Sequence, residues 1–214
     1  MNLIILAAGK GNRIYDKINT HKCLLKIKKK PLIEKIVDDA IKTKIFKKIY
    51  IVVGFKKKLI IDKLKNKKNV FFIHNKKFNS TEMSYSLLLG LKKSTEDTVI
   101  CYSDIYFSPK IFQKIAKIAH EKKIIMPINM MWKKTWLKRK KLFKDDCETL
   151  RINKKNIITE IGNKIKNYRD VQGQYMGIFY ISKEINLSFK KLFEKKSKNK
   201  KLHITFFLNS IKKV

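Results

Sequence analysis

The chain has 214 residues, 44% of them hydrophobic, with 52 Lys and Arg against 17 Asp and Glu, for a formal net charge of +35. That apolar content excludes a disordered chain, and the length supports one domain with an elaboration. The charge points first to nucleic acid or an anionic membrane, but arginine occurs only at Arg13, Arg139, Arg151 and Arg169. Nucleic-acid surfaces draw on arginine's bidentate fork. Lysine spread along the whole chain reads instead as a compositional habit, a solvated surface that still attracts small polyanions. Cys23, Cys101 and Cys147 lie far apart, without metal-ligand or redox spacing, and read as buried free thiols in a reducing compartment. No leader pattern and no span-length apolar run is visible. The expectation is a cytoplasmic protein with no membrane partner and nucleic acid disfavoured as a partner.

In chain order, Leu3 to Ala7 reads as a buried strand, followed by the glycine-rich stretch LAAGKGNRI from Leu6 to Ile14. Pro31 opens a helix in which Leu32, Ile33, Ile36, Val37, Ala40 and Ile41 recur at helical spacing. A buried strand over 46–55, a lysine-rich helix over 56–66, a strand over 69–75 and a helix over 83–93 follow. A fourth strand over 97–107 carries Asp104 at its carboxyl end. A helix over 108–123 begins with a serine cap and a first-turn proline, and a fifth strand covers 124–128. Beyond residue 130 the rhythm changes to a hairpin over 147–162, a strand over 174–182 and helices near 184–196 and 201–213.

Strand and helix alternate through the first half. The fold expected is α/β, a Rossmann-like mostly parallel sheet with helices on both faces, plus a hairpin-containing C-terminal elaboration. Ligands of such sheets sit at the carboxyl ends of strands, where both the loop at 8–13 and Asp104 fall. The loop is not a dinucleotide fingerprint, because Ile14 stands where a third glycine is needed, and it lacks the Gly-Lys-Ser/Thr ending of a Walker loop. Ala7 and Ala8 are small enough for a flat base to lie against the backbone. Gly9 and Gly11 free peptide N–H groups to point at phosphate oxygens, and Lys10, Arg13 and Lys22 add charge. This arrangement fits a triphosphate that leaves as pyrophosphate.

The segments LAAGKGNR, HKCLLKIKKKPLIEKIV and IVVGF resemble the nucleotidyltransferase family, whose loop Leu-Ala-Ala-Gly-x-Gly-x-Arg is matched from Leu6 to Arg13. The family's Pro-Lys-x-Leu element is matched at Lys22 and Leu24, with His21 in place of the proline. Further on, MWKKTWLKR (131–139), KDDCETLRI (144–152), ITEIGNKI (158–165) and GQYMGIFYIS (173–182) are similar to the branch that activates phosphocholine and related phospho-amines or phosphonates with CTP. The resemblance implies a single domain, its nucleotide-binding half at 1–128 and its acceptor-binding half at 129–214.

It also implies roles. Leu6, Ala7, Ala8, Gly9 and Gly11 bind the nucleotide, Lys10 and Arg13 hold the β- and γ-phosphates, and Lys22 stabilises the α-phosphate. Asp104 ligates Mg²⁺; read without the resemblance, it is a turn or cap aspartate, and Lys22 is one more solvated lysine. Asn79 or Ser84 contacts the base or ribose, or else caps the helix that follows. Trp132 and Trp136, four residues apart, either offer indole faces to a quaternary ammonium group or pack a helix onto the sheet. Arg139 grips the acceptor phosphate, while Asp146, Glu148 and Tyr175 wall the acceptor pocket. The resemblance leads one to expect an acidic pair in a C-terminal segment, where this chain has Phe206 near the usual position of an aspartate.

The reaction implied is transfer of CMP from CTP to a small phosphorylated amine or phosphonate such as phosphocholine. The rival readings are a sugar-1-phosphate transferase using UTP or dTTP and a non-catalytic basic binding module. Oligomeric state stays open, a homodimer being one option.

Overall fold

In the computed structural model, residues 1–11, 20–137 and 147–196 are described. The elements run β1 (Asn2–Ala7), a 3-10 turn (Lys22–Leu24), β2 (Lys26–Ile27), β3 (Lys30–Pro31), α1 (Leu32–Thr43), β4 (Ile49–Val53), α2 (Lys57–Leu64) and β5 (Val70–His74). There follow α3 (Met83–Lys93), β6 (Thr98–Tyr102), α4 (Lys110–Ile118), a 3-10 turn (Ala119–Glu121), β7 (Ile124–Ile125), β8 (Ile128–Asn129) and α5 (Trp132–Leu137). The last elements are β9 (Glu148–Ile152), β10 (Ile158–Lys164), a 3-10 turn (Tyr168–Asp170), β11 (Gln174–Tyr175), β12 (Ile178–Ile181) and α6 (Lys183–Lys196).

Uninterrupted apolar runs make the middle of the sheet. Every residue of β1 and of β4 is buried, as strands covered on both faces must be. They pair in parallel from Leu3 beside Ile49 to Ala7 beside Val53. β6 pairs in parallel with the other side of β1, and β5 lies parallel to β4. β12 runs antiparallel to β6, and β7 antiparallel to β12. The order is β5-β4-β1-β6-β12-β7, the Rossmann-like, mostly parallel sheet that the alternation predicts. Going from β1 through β4 to β5 the chain moves one way, and it then returns to place β6 on the far side of β1. With right-handed crossovers, α1 and α2 cover one face and α3 the other. α1 packs on α4, and α3 on α6.

α1 buries Leu32, Ile33, Ile36, Val37 and Ala40, while Ile41 is half-buried. A fully buried side chain of this kind contributes about 1.5–3 kcal/mol, so packing stabilises a helix that is marginal alone at this length. Pro31 serves as its N-cap, at φ −54° and ψ 139°.

Two expected strands are each broken in two. The 124–128 segment divides into β7 and β8 around Pro127, which has no N–H to give a ladder. The 174–182 segment divides into β11 and β12 at Gly177, where φ is +75° and an added Cβ would lie 2.9 Å from Tyr102. Both breaks fall where the chain passes between its two compact units. The first unit is Met1–Ile125 with the described part of 177–202, and the second includes Met126–Met176. In the second unit β9 and β10 form the expected antiparallel hairpin, and β8 pairs with β11. The helix expected near 201–213 and Phe206 lie outside the described residues, and no described helix is long and apolar enough to cross a membrane.

The β2–β3 hairpin closes on Lys28 and Lys29 with φ of 49° and 68°, while Ile27 pairs with Lys30. Two consecutive left-handed residues define a type I′ turn, which favours Asn-Gly and strains a lysine. Replacing both by Asn and Gly (K28N/K29G) is expected to raise unfolding stability by about 1 kcal/mol. Denaturant unfolding checks this, and an unchanged or lower midpoint contradicts it.

Candidate functional site

The strand order reverses between β1 and β6, and the carboxyl ends of both strands open there, the place where parallel sheets take ligands. The Ser103 N–H donates to the Leu6 carbonyl at 3.3 Å, tying the two exits together. The Phe55 N–H reaches the Ala8 carbonyl at 3.0 Å, fixing the start of the loop against the exit of β4. A cavity of about 360 Å³ occupies this end of the sheet. Its walls include Leu6, Ala7, Ala8, Gly9 and Gly11 from β1 and the loop, and Lys22 and Asp104 across from them.

Lys22 Nζ donates to Asp104 Oδ2 at 2.6 Å, although 82 positions separate the two residues. Their side chains remain 28% and 31% exposed, and an ion pair that wet contributes at most about 1 kcal/mol. It holds both charges in place and opens cheaply when a ligand offers better partners. Gly11 makes room for it, with φ at +71° and a hypothetical Cβ only 2.4 Å from Lys22 Cε. A Cβ at Gly9 would meet nothing within 4 Å, so the loop backbone borders open space there. Peptide N–H groups beside such a space, with a lysine at hand, can bind phosphate.

The 3-10 turn that presents Lys22 is built by His21. Its backbone, at φ −72° and ψ 133°, has the dihedrals a proline adopts, which is how histidine stands in for proline here. It then adds a cap, Nδ1 accepting from the Cys23 N–H at 3.3 Å. The ring is 2% exposed and tilted on Phe55 at 6.3 Å. Burial, helped by Lys22 and Lys56, lowers its pKa from 6.5, against the opposing pull of the Ala7 backbone and Asp104. The Cys23 thiol next to it is pushed up to about 12, chiefly by burial, so it is no nucleophile. All three cysteines are free and buried.

The polar wall away from Lys22 differs from the sequence expectation. Asn79 is exposed and Ser84 is buried, and neither lines the cavity. Asn75, Thr81, Glu82 and Ser86 do. Asn75 Nδ2 donates to Thr81 Oγ1 at 3.3 Å and to Ser86 Oγ at 3.0 Å. The available signal was helical spacing, since Met83 and Ser86, three apart on α3, share a side that Ser84 does not. Lys10 is exposed and lies with Nζ 6.0 Å from the Phe55 ring. Arg13 lies outside the described residues.

In the second unit Trp132 and Trp136 are 2% and 5% exposed and pack with Cys147, Ile165 and Val171. Trp136 Nε1 donates to Gln174 Oε1 at 3.0 Å. Burial in this cluster is what the packing alternative expects, and the Lys133 ammonium lies 5.9 Å from the Trp132 ring centroid. Glu148 is exposed at the start of β9, and Tyr175 is half-buried in β11. Arg139 and Asp146 lie outside the described residues.

Residues 3–154 match the model of the MobA-like NTP transferase domain. A CTP:phosphoglutamine cytidylyltransferase of Campylobacter jejuni is 31% identical over 193 residues, 85% of this chain and 73% of that protein. Among solved structures, a putative glucose-1-phosphate thymidylyltransferase from Bacillus anthracis superposes with a TM-score of 0.77 at 21% identity, covering 96% of this chain and 80% of that one. A CTP:phosphocholine cytidylyltransferase from Streptococcus pneumoniae does so with a TM-score of 0.64 at 22% identity, covering 91% and 78%. At these identities the structures speak for the shared fold.

The lowered pKa of His21 has a direction that can be measured. Its neutral form contributes stability that is complete above the unfolded value of 6.5 and is lost as pH falls through the lower folded value. Exchanging it for proline (H21P) keeps the backbone and removes the titration. From about pH 7.5 to about pH 5 the wild type is expected to lose more unfolding free energy than this variant. Parallel curves contradict the assignment.

Proposed function

We infer the reaction from the family: the chain belongs to the MobA-like NTP transferase domain family, it is a nucleotidyltransferase, and we propose that it is a cytidylyltransferase. It transfers CMP from CTP to a small phosphorylated, nitrogen-bearing acceptor and releases pyrophosphate. The observation that carries this reading is the Lys22–Asp104 pair standing over the Gly9–Gly11 loop in one cavity. The choice of CTP is supported by the cytidylyltransferase that is 31% identical across 85% of the chain.

An acceptor phosphate oxygen attacks the α-phosphorus of CTP. The new P–O bond forms as the bond to the bridging α–β oxygen breaks, and pyrophosphate leaves with that electron pair. Two anions must meet, so positioning and charge neutralisation carry the catalysis. The amides of the 8–11 loop, with Lys10 and Arg13, hold the β- and γ-phosphates. Lys22 leaves Asp104 for the α-phosphate, where its charge counts most as negative charge builds. The donor set fits Mg²⁺: an ion that arrives with phosphate oxygens and waters needs one or two protein carboxylates, and Asp104 in the cavity would hold it. When bound, the ion supplies charge neutralisation between the phosphates.

Arg139, Asp146, Glu148 and Tyr175 are the proposed acceptor contacts. With both tryptophans buried, phosphocholine loses the residues that singled it out. The acceptor is therefore proposed as the wider class of phosphorylated amines and amides.

Pyrophosphate release is the test, with CTP, UTP, dTTP and ATP each paired with phosphocholine, phosphoethanolamine, a phosphorylated glutamine and glucose 1-phosphate. Turnover is expected with CTP and a nitrogen-bearing acceptor; preference for UTP or dTTP with the hexose phosphate contradicts the proposal. Lys22→Ala is expected to lower kcat by about 100-fold or more with the fold intact. Gly11→Ala, which drives a methyl into Lys22, should lower it in the same direction.

A further inference from the structure

One charged side chain in the cavity has no task in the chemistry above. Glu82 lines the cavity and is exposed at the N-cap position of α3, where its side chain makes no cap hydrogen bond. Its carboxylate forms no hydrogen bond or ion pair with any described residue, in a chain whose formal charge is +35. A lone carboxylate on a residue that lines a cavity taking a polyanion repels the ligand, unless the ligand brings a donor to that spot.

The neighbouring polar groups narrow what that donor is. Asn75 is buried, its NH₂ is shared between Thr81 and Ser86, and its Oδ1 accepts from the Lys77 N–H at 2.9 Å. Thr81 in turn donates to the Lys77 carbonyl at 2.7 Å. That network is engaged within the protein, which leaves Glu82 as the uncommitted strong acceptor of this wall. The phosphate-binding groups are gathered elsewhere, Gly11 lying directly against Lys22. The wall bearing Asn75, Phe78, Thr81 and Met83 carries no cation and is suited to a base rather than a phosphate.

Building on the CTP reading, we propose that Glu82 is a nucleobase-specificity residue whose carboxylate accepts a hydrogen bond from the 4-amino group of cytosine. Carboxylate with the cytosine amine is a matched pair. Uracil and thymine carry a carbonyl oxygen at the same position and turn its lone pairs towards the carboxylate. A base that covers the carboxylate without offering it a donor leaves it unpaired, which weakens binding.

The test measures dissociation constants for CTP and UTP, each with Mg²⁺, by calorimetry on the full chain as wild type, Glu82→Gln and Glu82→Ala. It needs no acceptor, and thermal unfolding confirms that each exposed substitution leaves the fold intact. The wild type is expected to favour CTP. Glutamine presents either an acceptor or a donor, so E82Q should cut the CTP-over-UTP ratio by about tenfold to a hundredfold, with UTP binding improved. E82A should weaken CTP while leaving UTP unchanged or tighter. A CTP-selective wild type whose ratio survives both substitutions overturns the assignment of Glu82. Equal weakening of both nucleotides makes Glu82 a metal or phosphate contact and overturns it too. A wild type that binds UTP as well as CTP contradicts the cytidylyltransferase reading itself.

Discussion

A lysine and an aspartate from distant parts of the chain meet at 2.6 Å over a glycine loop, and the candidate site is built around that meeting. The parallel register of β1 and β6 brings Asp104 to the same sheet end as the loop. The His21 turn brings Lys22 to it, and Gly11, by lacking a Cβ, lets the lysine lie flat on the loop. Both side chains are partly exposed, so the pair is weak. In the function proposed, a triphosphate with its counter-cation would give lysine an anion and aspartate a cation in one exchange, at little cost.

The rest of the first unit serves to hold this end of the sheet still. β1 has no exposed residue, and its neighbours β4 and β6 are buried almost throughout. Close packing of this kind transmits rigidity to the strand exits. The exits are then fastened to one another by backbone hydrogen bonds, Ser103 to Leu6, Phe55 to Ala8 and Asn75 to Val53. Amides held in place this way would cost little reorganisation as negative charge develops in the proposed reaction. The net charge of +35 draws anions towards the whole surface, whereas the base selectivity proposed above would be set inside the cavity, by Glu82.

The sheet, the glycine loop and the aspartate at a strand exit are legible in the residues because their signals are contiguous. An apolar run followed at once by Ala-Ala-Gly-x-Gly says strand and then loop, and an aspartate at the end of another apolar run says strand exit. The polar wall of the cavity is not legible there. Asn75, Thr81 and Ser86 come from the exit of β5, a loop and a helix, and only folding assembles their hydrogen bonds; the sequence supplied the neighbouring Asn79 and Ser84 instead. Trp132 and Trp136 show a different limit. Spacing places two indoles on one side of a helix, but whether that side faces solvent or core depends on Cys147, Ile165 and Val171, which lie too far along the chain for periodicity to reveal. Pro127 and Gly177 were visible as residues, but each sits inside an apolar run that reads as one strand, and hydropathy overruled the backbone chemistry in the reading.

The most direct measurement of the central claim is a crystal structure of the chain with Mg²⁺ and a CTP analogue that cannot release pyrophosphate. The account predicts the triphosphate on the amides of residues 8–11, Lys22 Nζ moved from Asp104 onto the α-phosphate, and the Asp104 carboxylate on the metal. A nucleotide bound elsewhere, or bound in the cavity while Lys22 and Asp104 stay joined and touch neither phosphate nor metal, would contradict it.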